Sequence, residues 1–228
     1  MIKNFVIKLR GSDFFSMLFH TVNYCLKNEL RDCETVLDIG CGPCSPIKLC
    51  KTINYSVGVE PFKPYLNQSR RKKIHSKYVN KKIELIDFKE KSFDAVLLIE
   101  VLEHMKKKDG VKLLKKAELW AKKKIIITTP NGYFPMGEID NNLYHKHLSG
   151  WSVSDLKTIG FDVRGITGAK FMYKKENSVD NLGNEEFTFV NMKYKPQHIS
   201  FLFNAFLQLF TYYIPTSAFE LFAVKNLN

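Results

Sequence analysis

Residues able to do chemistry gather first at Asp38, Gly40, Cys41 and Gly42, within Thr35-Val-Leu-Asp-Ile-Gly-Cys-Gly-Pro-Cys-Ser-Pro46. A short apolar run breaks at the two glycines, and a helical stretch follows from Ser45 or Pro46. Strand, glycine turn and helix start in that order cradle a nucleotide-like ligand. Glycine lets the backbone approach the ligand, and the helix start offers free N–H groups. Two glycines alone are a weak signal. Their context strengthens it: the next apolar run, Tyr55-Ser-Val-Gly-Val-Glu60, ends in an acid 22 positions after Asp38. A carboxylate there can accept both hydroxyls of a ribose.

More acids end later apolar runs. Asp87, with Phe88 beside it, follows Ile83-Glu-Leu-Ile86, and Glu100 follows Ala95-Val-Leu-Leu-Ile99. Any one of them also reads as a helix cap or a loop hydrogen bond. Three at successive strand ends on one edge, Asp38, Glu60 and Asp87, point to a ligand. Glu103-His104 reads equally as a cap on the next turn or as a functional pair. Further on, His145-Lys-His-Leu-Ser-Gly-Trp151 precedes a helix. His145 or His147 can serve as a general base if an acceptor must lose a proton. The same histidines can simply hold the loop or bind substrate, and Trp151 reads as core or pocket wall. No side chain is singled out as catalytic.

The cysteines are Cys25, Cys33, Cys41, Cys44 and Cys50, and Met1-Ile-Lys-Asn-Phe5 opens no secretory signal. A reducing cytoplasm is the expectation, with possible membrane association and without disulfides. Cys41-Gly-Pro-Cys44 has the spacing of a redox site or half a zinc site. It lacks a second C-x-x-C or a His pair at zinc-ligand spacing, so no metal is expected.

The elements that must position these groups alternate along the chain. Strands are expected at 35–39, 55–60, 83–86, 95–99, 125–129 and 161–165. Helices are expected at 14–30, 107–121 and from Ser152, where Ser152-Val-Ser-Asp155 resembles a capping box. The nearly continuous apolar run at 95–99 suits a strand buried on both faces of a parallel sheet. Such alternation argues for an open, mostly parallel sheet with helices on both faces. Residues 166–197 have little periodicity and read as an insertion. Residues 199–219 lack charge, and Ser200, Asn204, Gln208 and Thr211 recur at helical spacing. That polar stripe is expected to face away from a wide, Phe-rich apolar surface. Four roles remain open for this stretch: a lid, a subunit interface, a helix on a membrane surface, or a helix buried against the sheet.

The chain resembles the class I S-adenosylmethionine (SAM)-dependent methyltransferases. Val36-Leu-Asp-Ile-Gly-Cys-Gly42 is similar to the family's first motif, and Val57-Gly-Val-Glu60 to its ribose-binding acid. Ile83-Glu-Leu-Ile-Asp-Phe88 looks like the strand whose terminal acid meets the adenine amine. The stretch from Phe93 to His104 looks like the fourth strand and its exit, and Ile125-Ile-Ile-Thr-Thr-Pro-Asn-Gly132 like the fifth. Cys44 stands where the family has a third glycine. The resemblance implies an α/β, Rossmann-like seven-stranded sheet, mostly parallel, with an antiparallel last strand and a C-terminal insertion between the last two strands. It treats 1–228 as one domain: a leading helix (1–32), a cofactor core (33–165), an insertion or lid (166–217) and a closing strand (218–228). SAM is the implied cofactor and S-adenosylhomocysteine the product. Asp38, Gly40, Cys41, Gly42, Glu60, Asp87, Phe88 and Glu100 would line its site.

Acceptors are narrowed by what the chain lacks. The Asn/Asp-Pro-Pro-Tyr-like motif of amino-methylating enzymes is replaced by Ile99-Glu-Val-Leu-Glu103, and no Pro-Cys nucleophile follows the fourth strand. A formal charge of +12 attracts anions at long range. Arginine appears only at 10, 31, 70, 71 and 164, so a lysine-rich solvated surface explains that charge better than a dedicated phosphate reader. The expected function is methylation of a small-molecule or lipid-linked acceptor. An RNA methyltransferase and a non-catalytic SAM-binding regulatory module are the rivals, and 199–214 is the candidate peripheral-membrane or homodimer contact.

Overall fold

Alternating apolar runs become the strands of a seven-stranded sheet in a computed structural model that describes residues 12–138, 140–174 and 192–227. These are β1 (Thr35–Ile39), β2 (Tyr55–Val59), β3 (Lys77–Val79), β4 (Phe93–Ile99), β5 (Ala121–Pro130), β6 (Asp162–Ala169) and β7 (Ala218–Asn226). Their order is β3-β2-β1-β4-β5-β7-β6. Neighbours from β3 to β5 pair in parallel, whereas β7 runs antiparallel to both β5 and β6. The expected sheet is therefore present, antiparallel last strand included.

Strand pleating sends alternate side chains to opposite faces. Leu37, Ile39, Val96, Leu98, Ile125 and Ile127 face one way and pack with Leu113, Leu114, Ala117 and Trp120 of α4 (Lys107–Trp120). Val36, Leu97 and Ile126 face the other way and pack with Leu26 of α2 (Val22–Glu29) and with Leu30. Two buried layers sandwich the central strands, so the carboxyl ends of β1, β2 and β4 are held rigidly. The remaining helices are α1 (Asp13–Leu18), α3 (Lys63–Arg71), α5 (Val153–Thr158) and α6 (Gln197–Thr211). The capping box at α5 is present in full, Ser152 and Asp155 exchanging side-chain and backbone bonds.

Three expectations need correction. The leading helix at 14–30 is two helices, because His20 takes a left-handed φ of 47° and Thr21 caps a new start. The strand expected at 83–86 lies instead at Lys77–Val79, and Ile83–Leu85 forms a 3-10 turn. The insertion expected at 166–197 overlaps β6, which runs to Ala169; residues 175–191 lie outside the described residues.

In α6 the polar and apolar faces separate as the helical spacing implies. Its polar stripe is the buried face: Ser200, Asn204, Gln208 and Thr211 are all buried, while Ile199, Phe203, Phe206 and Phe210 are more than half exposed. The cause is an irregular register in β6 between Ile166 and Ala169. That break frees backbone groups from the ladder, and buried backbone groups must find partners. Gln208 accepts from the Gly168 N–H and donates to the Gly165 carbonyl. Asn204 accepts from the Ala169 N–H at 2.8 Å and donates to the Thr167 carbonyl at 3.1 Å. Gly168 is required here, since its φ is 78° and a side chain would run into Asn204.

Candidate active site

A cavity of about 370 Å³ opens at the carboxyl ends of β1, β2 and β4. That volume suits a cofactor-sized ligand. Asp38, Gly40, Cys41, Gly42, Glu60 and Glu100 line it, so six of the expected cofactor-side residues come together. The turn after β1 depends on Gly40: its φ is 69°, and a Cβ there would lie 2.6 Å from Val101 Cγ2. The tight turn keeps the backbone beneath the ligand space.

Asp38 is 1% exposed and accepts from Ser45 Oγ at 2.5 Å. Burial pushes its carboxyl up to about 7, with Glu60's charge acting the same way and the Ser45 bond opposing. His75 Nε2 lies 3.4 Å from the same carboxyl, but burial holds His75 down at about 4. Near neutral pH the imidazole is uncharged, so the contact is not a standing ion pair. Glu60 accepts from the Gly42 N–H through Oε2 (3.1 Å) and from the Phe62 N–H through Oε1 (2.8 Å). Each carboxylate oxygen keeps a lone pair for a further donor such as a ribose hydroxyl. Glu100 holds a left-handed φ of 52°, a strained setting for a non-glycine residue, and donates its N–H to the Thr128 carbonyl and hydroxyl, each at 3.1 Å.

Asp87 and Phe88 do not line the cavity. Asp87 is exposed, and Phe88 packs edge-on against Phe93 and Trp120 in the core. Ile83 and Glu84 of the 3-10 turn occupy that flank of the cavity instead. Trp151 is 1% exposed, lies in the core against Gly110 and does not line the cavity. His145 does line it, beside Asn142, Tyr144 and Tyr65. His147 is buried behind, its ring edge-on to His104 at 4.8 Å. Tyr65, Asn142 and Tyr144 carried no local pattern that would reveal them.

A second cavity of about 260 Å³ lies between α1, α2, α6 and the β6 irregularity, with Phe15, Phe19, Phe201 and Glu220 among its walls. Glu220 and Glu100, which lines the first cavity, act on each other. Burial and Glu100's charge raise Glu220 well above the ordinary carboxylate range, and burial and Glu103's charge raise Glu100 to about 8. Threonines cap all three acids: Thr128 donates to Glu100 at 2.8 Å, Thr129 to Glu103 at 3.0 Å and Thr167 to Glu220 at 2.5 Å.

Among the described residues, the first cavity is lined by Asp38, Glu60, Glu84 and Glu100 without a lysine or arginine. Such walls suit a ligand carrying ammonium and sulfonium charges and repel a pyrophosphate. The comparisons agree. Residues 37–125 match the family model described as a methyltransferase domain. A SAM-dependent methyltransferase from Archaeoglobus fulgidus has a similar structure, with a TM-score of 0.53 at 18% identity over 94% of this chain and 98% of that one. The plantazolicin methyltransferase BpumL in complex with SAH aligns with a TM-score of 0.53 at 12% identity, over 100% and 89% of the two chains. The methyltransferase domain of bacterial CtHen1 aligns with a TM-score of 0.52 at 15% identity, over 92% and 100%. At these identities the solved structures speak for the fold. No curated protein matches the chain in sequence. Residues 37–125 thus carry the sequence pattern of a methyltransferase domain, and the chain has the fold of SAM-dependent methyltransferases.

Proposed function

We propose that this methyltransferase acts on a small-molecule or lipid-linked acceptor that it meets at a membrane surface. The observation that supports this reading is the inverted α6, which turns Ile199, Phe203, Phe206 and Phe210 outward. α6 touches α1 through Phe15 and Phe201, and α1 also exposes Phe14, Met17 and Leu18. Exposed apolar residues on two touching helices mark an interaction site. A formal charge of +12 favours an anionic bilayer as what they meet. Among the described residues no helix is long and apolar enough to cross a membrane, so the contact would be peripheral.

In this reading the first cavity holds SAM. Glu60 accepts the ribose hydroxyls, Asp38 and the Gly40 to Gly42 turn hold the methionine end, and Ile83 and Glu84 border the adenine. Bound SAM supplies a methyl group already activated on sulfur, leaving the chain to align the acceptor and exclude water. The aromatic second cavity is the acceptor's entry, and Glu100 and Glu220 stand between the two spaces.

Co-sedimentation with phosphatidylcholine vesicles, with and without phosphatidylglycerol, tests the membrane contact. The full chain should sediment with the anionic vesicles, and Phe206→Glu with Phe210→Glu should release it while leaving SAM binding intact. A chain that ignores both vesicles and shifts RNA in a salt-sensitive manner would favour the RNA reading instead.

A further inference from the structure

We propose that Glu103, His104 and His147 form a binding site for a divalent first-row transition cation at the acceptor side of the SAM cavity. One ligand atom from each residue lies within 4.8 Å of the others. Three ligands about 2.1 Å from a common ion stand about 3.4–3.6 Å apart, so the widest separation would close by roughly 1.2–1.4 Å on binding.

Each residue presents an unused atom. Glu103 is 1% exposed and spends Oε2 on the Thr129 hydroxyl, leaving Oε1 buried without a hydrogen-bond partner. That oxygen lies 3.9 Å from His104 Nε2. His104 Nδ1 is likewise buried and unpartnered. An unsatisfied buried carboxylate oxygen is costly, and a cation would satisfy Glu103 Oε1. His147 is set up differently. Its Nδ1 lies 2.6 Å from the Phe134 carbonyl, and since a carbonyl only accepts, Nδ1 carries the hydrogen. Nε2 is left with a lone pair, the arrangement that orients a metal-binding imidazole.

The two segments that carry the ligands are pinned to each other. The Glu103 carbonyl accepts from the N–H groups of Leu148 (2.7 Å) and Ser149 (3.1 Å), and Ser149 Oγ donates to the Leu102 carbonyl at 3.1 Å. This fixes residues 147–149 against residues 102–104 before any ligand arrives. Two imidazoles and one carboxylate suit Zn²⁺, Fe²⁺ or Co²⁺ better than the all-oxygen preferences of Mg²⁺ or Ca²⁺. Three protein ligands leave coordination positions open, and His104 itself lines the cavity. Those positions would take an oxygen of the acceptor, a clause that rests on the function proposed above; cation binding itself does not.

The test is titration of the full chain with Co²⁺ alone, followed by calorimetry and visible absorption. The expected result is one Co²⁺ per chain, with a spectrum of nitrogen-ligated, low-coordinate cobalt. Glu103→Gln and His147→Ala should each weaken binding by at least about tenfold while SAM affinity stays within about twofold. Absence of saturable binding, a spectrum of aqueous cobalt, or variants that bind as well as wild type would overturn the site. The wild-type spectrum decides even if a variant fails to fold. Loss of SAM binding with intact Co²⁺ binding would count against the proposed function and not against the cation site.

Discussion

Asp38 shows how one buried carboxyl can link pH to both stability and ligand binding. Its pKa in the fold, about 7, lies above the ordinary 3.8. The fold therefore favours the protonated form, and the stability this group contributes is full below about pH 4 and lost as pH rises through 7. SAM binding should run the other way, because the charged carboxylate is the form that attracts the cofactor's cationic end. The groups facing Asp38 are Ser45, His75 and Glu60, and His75 stays neutral across this window. Relative to wild type, Asp38→Asn should gain thermal stability at pH 8 and lose that gain by pH 4. It should also flatten the rise in SAM affinity between pH 6 and 8. Melting curves and calorimetry at matched pH check both signs, and parallel profiles for the two proteins would contradict the assignment. Asp38, Gly40, Gly42 and Glu60 were legible because a glycine turn and a strand-end acid leave local marks. Asp87 was misread because Ile83-Glu-Leu-Ile86 has the composition of a strand while forming a turn. The Glu103, His104 and His147 cluster was not legible, since only the fold brings residues 43 positions apart into contact.

Among the elements, β3 and α6 resisted reading for opposite reasons. Lys77–Val79 is a three-residue edge strand with no fully buried side chain, so it carries no apolar pattern. In α6 the pattern was plain but its orientation was inverted. Hydrophobicity alone would bury the phenylalanines, but the freed backbone groups of β6 need polar partners, which Asn204 and Gln208 supply together with the Tyr173 hydroxyl. Asn204→Leu should thus destabilise the protein despite adding an apolar group to a buried position. It strands the Ala169 N–H, at about 1–3 kcal/mol, while the Thr167 carbonyl keeps its bond from the Tyr173 hydroxyl. Denaturant unfolding should show a loss of about 1–3 kcal/mol, and an unchanged midpoint would mean that water or neighbouring groups replace the side chain.

At the scale of the whole molecule, an open, mostly parallel sheet was foreseeable because alternating strands and right-handed crossovers leave few topologies, whereas the antiparallel seventh strand followed only from the family resemblance. The distribution of surface character was not. Composition reports 45% hydrophobic residues and a charge of +12 without saying which side chains face water. In the fold, acidic groups concentrate around one cavity while apolar side chains project from α1 and α6. The molecule therefore presents an acid-lined pocket and a separate apolar surface.

The most direct measurement is calorimetric titration of the full chain with SAM and S-adenosylhomocysteine, alongside Asp38→Ala and Glu60→Ala. The account predicts one saturable site per chain, competition between the two ligands, and loss of at least about tenfold in affinity in each variant, equivalent to about 1.4 kcal/mol. A folded wild type that binds neither ligand, or variants that bind both as well as wild type, would contradict it.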